Sequence, residues 1–145
     1  MYQHVLIPTD GSQLSVSAVE SGMRFACDAG AKVTVVAVVE PFHAVSSDSK
    51  QLSETRSVYE RHAKAAAARH LGQADRQAKA LGVPCEVVQV EHEHPYKAII
   101  ETATTKGCDL IAMASHGRRG VSAMLMGSET VKVLTHSSMP VLVFR

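Results

Sequence analysis

Hydrophobic positions along this chain fall into two alternating rhythms. Val5-Leu6-Ile7, Lys32 to Val39, Leu110 to Ala114 and Pro140 to Phe144 are apolar at nearly every position. Such short continuous runs suit parallel strands buried on both faces. The segments between them repeat apolar residues every three or four positions. Ala18, Val19, Gly22, Met23 and Ala26 predict a first helix, opened by Ser12 and stopped by Gly30. From Leu52, the series Tyr59, Ala63, Ala67, Leu71, Ala74, Ala78 and Leu81 predicts a long amphipathic helix, bent near Gly72 and ended by Gly82. Its alanine-rich stripe implies close packing on a sheet. Cys85 to Val90 alternates loosely, as an edge strand does, and residues 42–49 lack any period and predict a loop. Pro95 suits the first position of a third helix stopped by Gly107, and Ser128 is the expected cap of a fourth.

The order is therefore strand and helix in strict alternation, with five strands. Such an order calls for an α/β fold of three layers, a parallel sheet covered by helices on both faces. Ligands of such sheets bind beyond the carboxyl ends of the strands, where the strand order reverses. Two loops at those ends are unusual. Pro8-Thr9-Asp10-Gly11-Ser12 follows the first strand, and Ala114-Ser115-His116-Gly117-Arg118-Arg119-Gly120 follows the fourth, with Gly127-Ser128 after six more residues. Glycines let backbone N–H groups approach an anion, and a helix start adds unsatisfied donors and a favourable dipole. The second loop thus reads as a phosphate-binding loop.

Composition narrows the choice. The 145 residues suggest one domain, spanning 1–145, and 46% hydrophobic with 20% charged residues excludes a disordered chain. A net charge of +1 and 4% aromatic residues give no general pull toward nucleic acid or a membrane surface. The longest apolar runs are too short to span a bilayer, and the N-terminus lacks a signal-peptide pattern, so a cytoplasmic location is expected. Cys27, Cys85 and Cys108 form no C-x-x-C pair and are expected to be idle thiols.

Other nucleotide motifs fit poorly. A P-loop would need Gly-Lys-Ser/Thr after four residues, and a dinucleotide fingerprint would need more glycines after the first strand than Gly11 supplies. A receiver domain would want an acidic pair there, whereas Asp10 stands alone. His92 and His94 in Glu91-His92-Glu93-His94 share one side of an extended segment, yet two imidazoles make a weak metal site. No serine or cysteine has an evident base and orienting acid, so no catalytic residue is assigned.

The opening Val5-Leu6-Ile7-Pro8-Thr9-Asp10-Gly11-Ser12, the Ala114 to Gly120 loop, Gly127-Ser128 and the closing Pro140-Val141-Leu142-Val143 resemble the universal stress protein family, over essentially the whole chain. Its nucleotide-binding members carry G-x-x-G, nine residues, then G-S or G-T. Ala114, Gly117, Gly127 and Ser128 stand at those positions, alanine replacing the first glycine. The resemblance implies a flavodoxin/Rossmann-like sheet of order 3-2-1-4-5 and a site for ATP or a similar adenine nucleotide. Pro8, Thr9 and Asp10 would line the ribose and adenine side, with Val38 against the adenine. Met113, Ala114 and Gly117 would follow the sugar and first phosphates, and Gly127, Ser128 and Glu129 would hold the distal ones. Mg²⁺ would arrive with the phosphates, oriented by Asp10, while Arg118 and Arg119 could supply charge. It also implies a homodimer through Val141 to Phe144 and a regulator acting through its bound state, with at most slow ATP hydrolysis. The alternatives are a nucleotide-free dimeric interaction module of the same fold and a weak ATPase or phosphoryl-transfer enzyme.

Overall fold

A computed structural model describes residues 1–42, 49–117 and 126–145, with side chains from residue 53 onward in the helix that opens the second stretch. The chain runs β1 (His4–Pro8), α1 (Gln13–Ala29), β2 (Lys32–Val39), α2 (Ser49–Leu81), β3 (Cys85–Glu91), α3 (Pro95–Thr105), β4 (Leu110–Ala114), α4 (Ser128–His136) and β5 (Val141–Phe144). All strand pairs are parallel and the order is β3-β2-β1-β4-β5. This is the doubly wound α/β sheet that the alternation predicts.

Strand geometry sends alternate side chains to opposite faces, and both faces here are covered. Val5, Ile7, Val33, Val35 and Ala112 pack with Val19 and Met23 of α1 and with Leu71, Ala74 and Ala78 of α2. Leu6, Val36, Ile111 and Met113 pack on the other side with Ile99 and Ala103 of α3 and Val133 of α4. The central strands must therefore be apolar at every position, which is why they read as continuous runs. Leu6, Ile7 and Ile111 are fully buried, and each such side chain contributes roughly 1.5–3 kcal/mol of burial free energy.

The outer strands differ from the inner ones. β3 mixes exposed and half-buried residues, with Glu86 and Val87 exposed in succession, and all four residues of β5 are half-buried. Both are edges of the sheet, β3 as its alternation predicts. Helix α2 begins at Ser49 and stays helical through Gly72 to Leu81, so that glycine does not interrupt the hydrogen-bond ladder. Gly30 ends α1 in the left-handed conformation, and Pro95 stands at the start of α3. The aperiodic stretch expected to be a loop falls largely at 43–48, outside the described residues.

Near the opposite end of the sheet, Asp109 fixes the entry to β1. Its carboxylate accepts the N–H groups of Gln3 at 2.9 Å and His4 at 3.0 Å. Desolvation pushes that carboxyl up, and the N–H groups of Gln3, His4 and Asp109 itself, with the charge of His4, together outweigh it, so the group is held below the usual carboxylate range. His4 itself is buried and shares a 2.7 Å hydrogen bond between Nε2 and Thr34 Oγ1. Burial, reinforced by Lys32, lowers its pKa and favours the neutral ring.

Candidate functional site

The strand order places β1 between β2 and β4, so chain connections leave β1 and β4 toward opposite faces. The loops after these strands consequently part, and a crevice opens between them at the carboxyl edge of the sheet. Its cavity measures about 330 Å³ and is lined from both loops.

The loop after β1 is held by its own side chains. Thr9 N–H donates to Val36 O at 2.9 Å, which ties the loop to β2. The Ser15 hydroxyl accepts the Asp10 N–H at 3.1 Å and donates to Thr9 Oγ1 at 2.9 Å. Asp10 Oδ1 accepts the Ser12 N–H at 2.9 Å, and Ser12 Oγ accepts the Ser15 N–H at 3.2 Å. Ser12 thereby caps α1, as its position predicts. Gly11 turns the chain with φ of 78°, and a side chain there would run into the His70 imidazole of α2, whose Cε1 would stand 2.0 Å from the added Cβ. Only glycine satisfies both conditions.

The second loop is held by backbone contacts. Ser115 N–H donates to Phe144 O at 2.8 Å, and Gly127 N–H donates to Ser115 O at 2.7 Å. The Thr130 hydroxyl adds a bond to Ala114 O at 2.9 Å. These bonds bring residues 114–117 against the start of α4 across the undescribed stretch 118–125. Close approach makes Gly127 a glycine, since a Cβ would meet His116 Cα and Ser115 O at 3.2 Å. A Cβ on Gly117 would stand 2.6 Å from Asp10 Oδ2, so the two loops touch there.

One helix boundary differs from expectation. Gly127, not Ser128, is the N-cap of α4, and glycine has no side chain with which to cap the helix. The reason is the Gly127–Ser115 backbone bond, which draws Gly127 into the cap position and moves Ser128 into the first turn. The first helical bond runs from Val131 N–H to Gly127 O at 3.0 Å. The N–H groups of Ser128, Glu129 and Thr130 thus precede the helical ladder and stand at the positive end of the helix.

All ten residues singled out from the sequence line this crevice: Pro8, Thr9, Asp10, Val38, Met113, Ala114, Gly117, Gly127, Ser128 and Glu129. Ala114 lies in β4 beside Phe144. Among the described residues no non-glycine has positive φ, so the backbone at Ala114 accepts a methyl group. The Glu129 carboxylate turns toward α3, accepting the Tyr96 N–H at 2.9 Å, with Lys132 Nζ at 3.5 Å. Its backbone, not its side chain, is what remains at the helix start. Arg118, Arg119 and Gly120 lie outside the described residues.

The sequence reading missed the wall supplied by α2. Tyr59, Ala63, Ala66, Ala67 and His70 all line the crevice. The Tyr59 hydroxyl donates to Glu40 O at 2.9 Å, holding this helix to the end of β2. His116 also lines the crevice, its Nδ1 2.9 Å from Ser115 Oγ.

His92 and His94 lie before α3, their ring centroids 6.1 Å apart. His92 Nδ1 accepts the His94 N–H at 2.9 Å. Among the described residues no group of three or more His, Cys, Asp and Glu could hold a metal ion. The three cysteines are free. Burial pushes the thiols of Cys85 and Cys108 up to about 11, which keeps them protonated at neutral pH.

The model of the universal stress protein family matches residues 1–145. The chain belongs to the universal stress protein family. Similar members include universal stress protein MJ0531 of Methanocaldococcus jannaschii, 29% identical over all of this chain and 83% of its own length. Universal stress protein YxiE of Bacillus subtilis is also 29% identical, with both chains covered in full. Among solved structures, MJ0577 superposes with a TM-score of 0.81 at 25% identity, covering 99% of this chain and 95% of its own. A universal stress protein solved in complex with cAMP superposes with a TM-score of 0.73 at 28% identity, covering 99% and 97%. The crevice is therefore a feature of a universal stress protein fold. Among the described residues, no helix of this member is long and apolar enough to cross a membrane.

Proposed function

We propose that this universal stress protein binds an adenine nucleotide, ATP, in the crevice between the β1 and β4 loops and regulates a stress response in the cytoplasm through its bound state. The observation that carries the reading is the start of α4 at a glycine N-cap, with its Ser128, Glu129 and Thr130 N–H groups beside a loop kept free of side chains at Gly117 and Gly127. A polyphosphate is the ligand such a start suits, because each N–H gains a charged acceptor. Pro8, Thr9, Asp10 and Val38 form the ribose and adenine side, and Met113, Ala114 and Gly117 follow the sugar and first phosphates. A neighbouring family member in complex with cAMP supports the adenine class.

Mg²⁺ fits the same arrangement. The Asp10 carboxylate stands beside Gly117, where it would hold the ion against the phosphates. The bound ion supplies charge neutralisation, and the chain supplies the donors that orient the phosphates.

The test is to denature freshly purified protein and identify released nucleotide by chromatography and mass, with Ala114→Gly alongside. Near one ATP per chain is the expected result, from both forms, because β4 already accommodates the alanine methyl. No nucleotide from either form, and none bound on adding Mg-ATP, would overturn the reading.

We also propose a homodimer paired through β5. Its four residues are half-buried at an edge of the sheet among the described residues, and an edge of this kind suits pairing with a second strand. Sedimentation at micromolar concentration should show a dimer, and a monomer would refute it.

A further inference from the structure

We propose that Glu129 is a positioning residue of the crevice: its carboxylate clasps the start of α3 to the start of α4 and fixes the wall at the phosphate end, so that the site selects nucleotides by phosphate number. This rests on the nucleotide reading above and extends it to specificity.

Helix α3 starts without a cap of its own. Pro95 has no N–H, and His94 at the N-cap offers no side-chain hydrogen bond. The N–H groups of Lys97 and Ala98 share His94 O, at 3.0 and 3.2 Å. The Tyr96 N–H instead finds Glu129 Oε2 at 2.9 Å, from a helix 33 residues further along the chain. A carboxylate at a helix N-terminus is favoured by the dipole as well as by the bond. Glu129 thus caps α3 while belonging to the first turn of α4.

The clasp has a second strand. The Tyr96 ring lies 5.1 Å from the ring of His136 on α4, and Lys132 Nζ lies 5.6 Å from the Tyr96 centroid. Both backbone and ring of Tyr96 therefore lean on α4. Pro95 and Glu129 line the crevice together, so the spacing between the two helix starts sets the shape of its wall there.

Charge points the same way. A carboxylate in the first turn of α4, left free, would repel a polyphosphate approaching the same N–H groups. Engaged by Tyr96 N–H and flanked by Lys132 at 3.5 Å, it is directed at the α3 dipole instead. The backbone N–H groups of α4 then remain for the distal phosphates. AMP, which has no distal phosphates, gains little from this arrangement.

The experiment compares Mg-ATP and AMP affinities, by calorimetry, for the parent protein, Glu129→Ala and Glu129→Gln. Glu129→Ala should weaken ATP about tenfold and AMP less than twofold, so AMP binding also reports an intact fold. Glu129→Gln keeps an acceptor for Tyr96 N–H and should recover most of the ATP loss. Hydrogen exchange of the Tyr96 amide without ligand should accelerate in the alanine variant and not in the glutamine variant. An unchanged ATP to AMP ratio in Glu129→Ala would overturn the proposal while leaving nucleotide binding intact. A glutamine variant as weak as the alanine variant would overturn it also. Failure of the parent protein to bind either nucleotide would remove the underlying reading.

Discussion

Helices α1 and α4 both begin at the carboxyl edge of the sheet, beside the same crevice, and they begin in opposite ways. The start of α1 is closed by its own residues, with Ser12 accepting the Ser15 N–H and Asp10 accepting the Ser12 N–H. The start of α4 has a glycine as its N-cap, which offers no side chain, and the acidic residue of its first turn, Glu129, serves α3. A helix end satisfied from within contributes to stability, and one left unsatisfied offers donors to a ligand. The same edge of one sheet thus carries a corner closed from within and, on the proposed function, a corner that receives the ligand.

The largest expected effect lies at the closed corner. Gly11→Ala must place a Cβ in left-handed backbone and displace the His70 ring, and should lower unfolding free energy by about 3 kcal/mol. Urea denaturation measures it. Adding His70→Ala should recover the packing share and leave the backbone share, and full recovery would show that strain at Gly11 is unimportant. The open corner should answer in affinity instead. Gly127→Ala pushes a methyl group onto the His116 and Ser115 backbone; ATP binding should weaken about tenfold, with a stability loss of about 1 kcal/mol. A variant that loses several kcal/mol of stability while binding ATP normally would invert the comparison.

The contrast also explains what the sequence could disclose. Leu6 and its neighbours on both sides are buried on alternate faces, so continuous apolar runs announced the doubly covered sheet. Ten crevice residues were named because the resemblance carries over position by position onto the Pro8 to Asp10 loop, Val38 and the Met113 to Glu129 region, whose glycines and helix start are local patterns. The α2 wall was not legible in the same way. Ala63, Ala67 and Leu71 share one stripe that packs on the core, and spacing alone does not reveal that Ala63 and Ala67 also reach the crevice while Leu71 does not. The Glu129 clasp was hidden for a related reason, since its partner on α3 is distant in the chain and is a backbone N–H, which no side-chain pattern encodes. Ser128 was placed one residue out because a glycine drawn in by a backbone bond displaced the better intrinsic cap.

Tyr59 stands at the crevice wall with its hydroxyl anchored on Glu40 O and its ring 5.6 Å from that of Phe42. The chain has no tryptophan and three tyrosines, so its ultraviolet emission comes from phenol rings alone. One third of those emitters sits where a ligand's ring system would enter. A ligand bound there would therefore be read by a native optical reporter, needing neither dye nor engineered fluorophore.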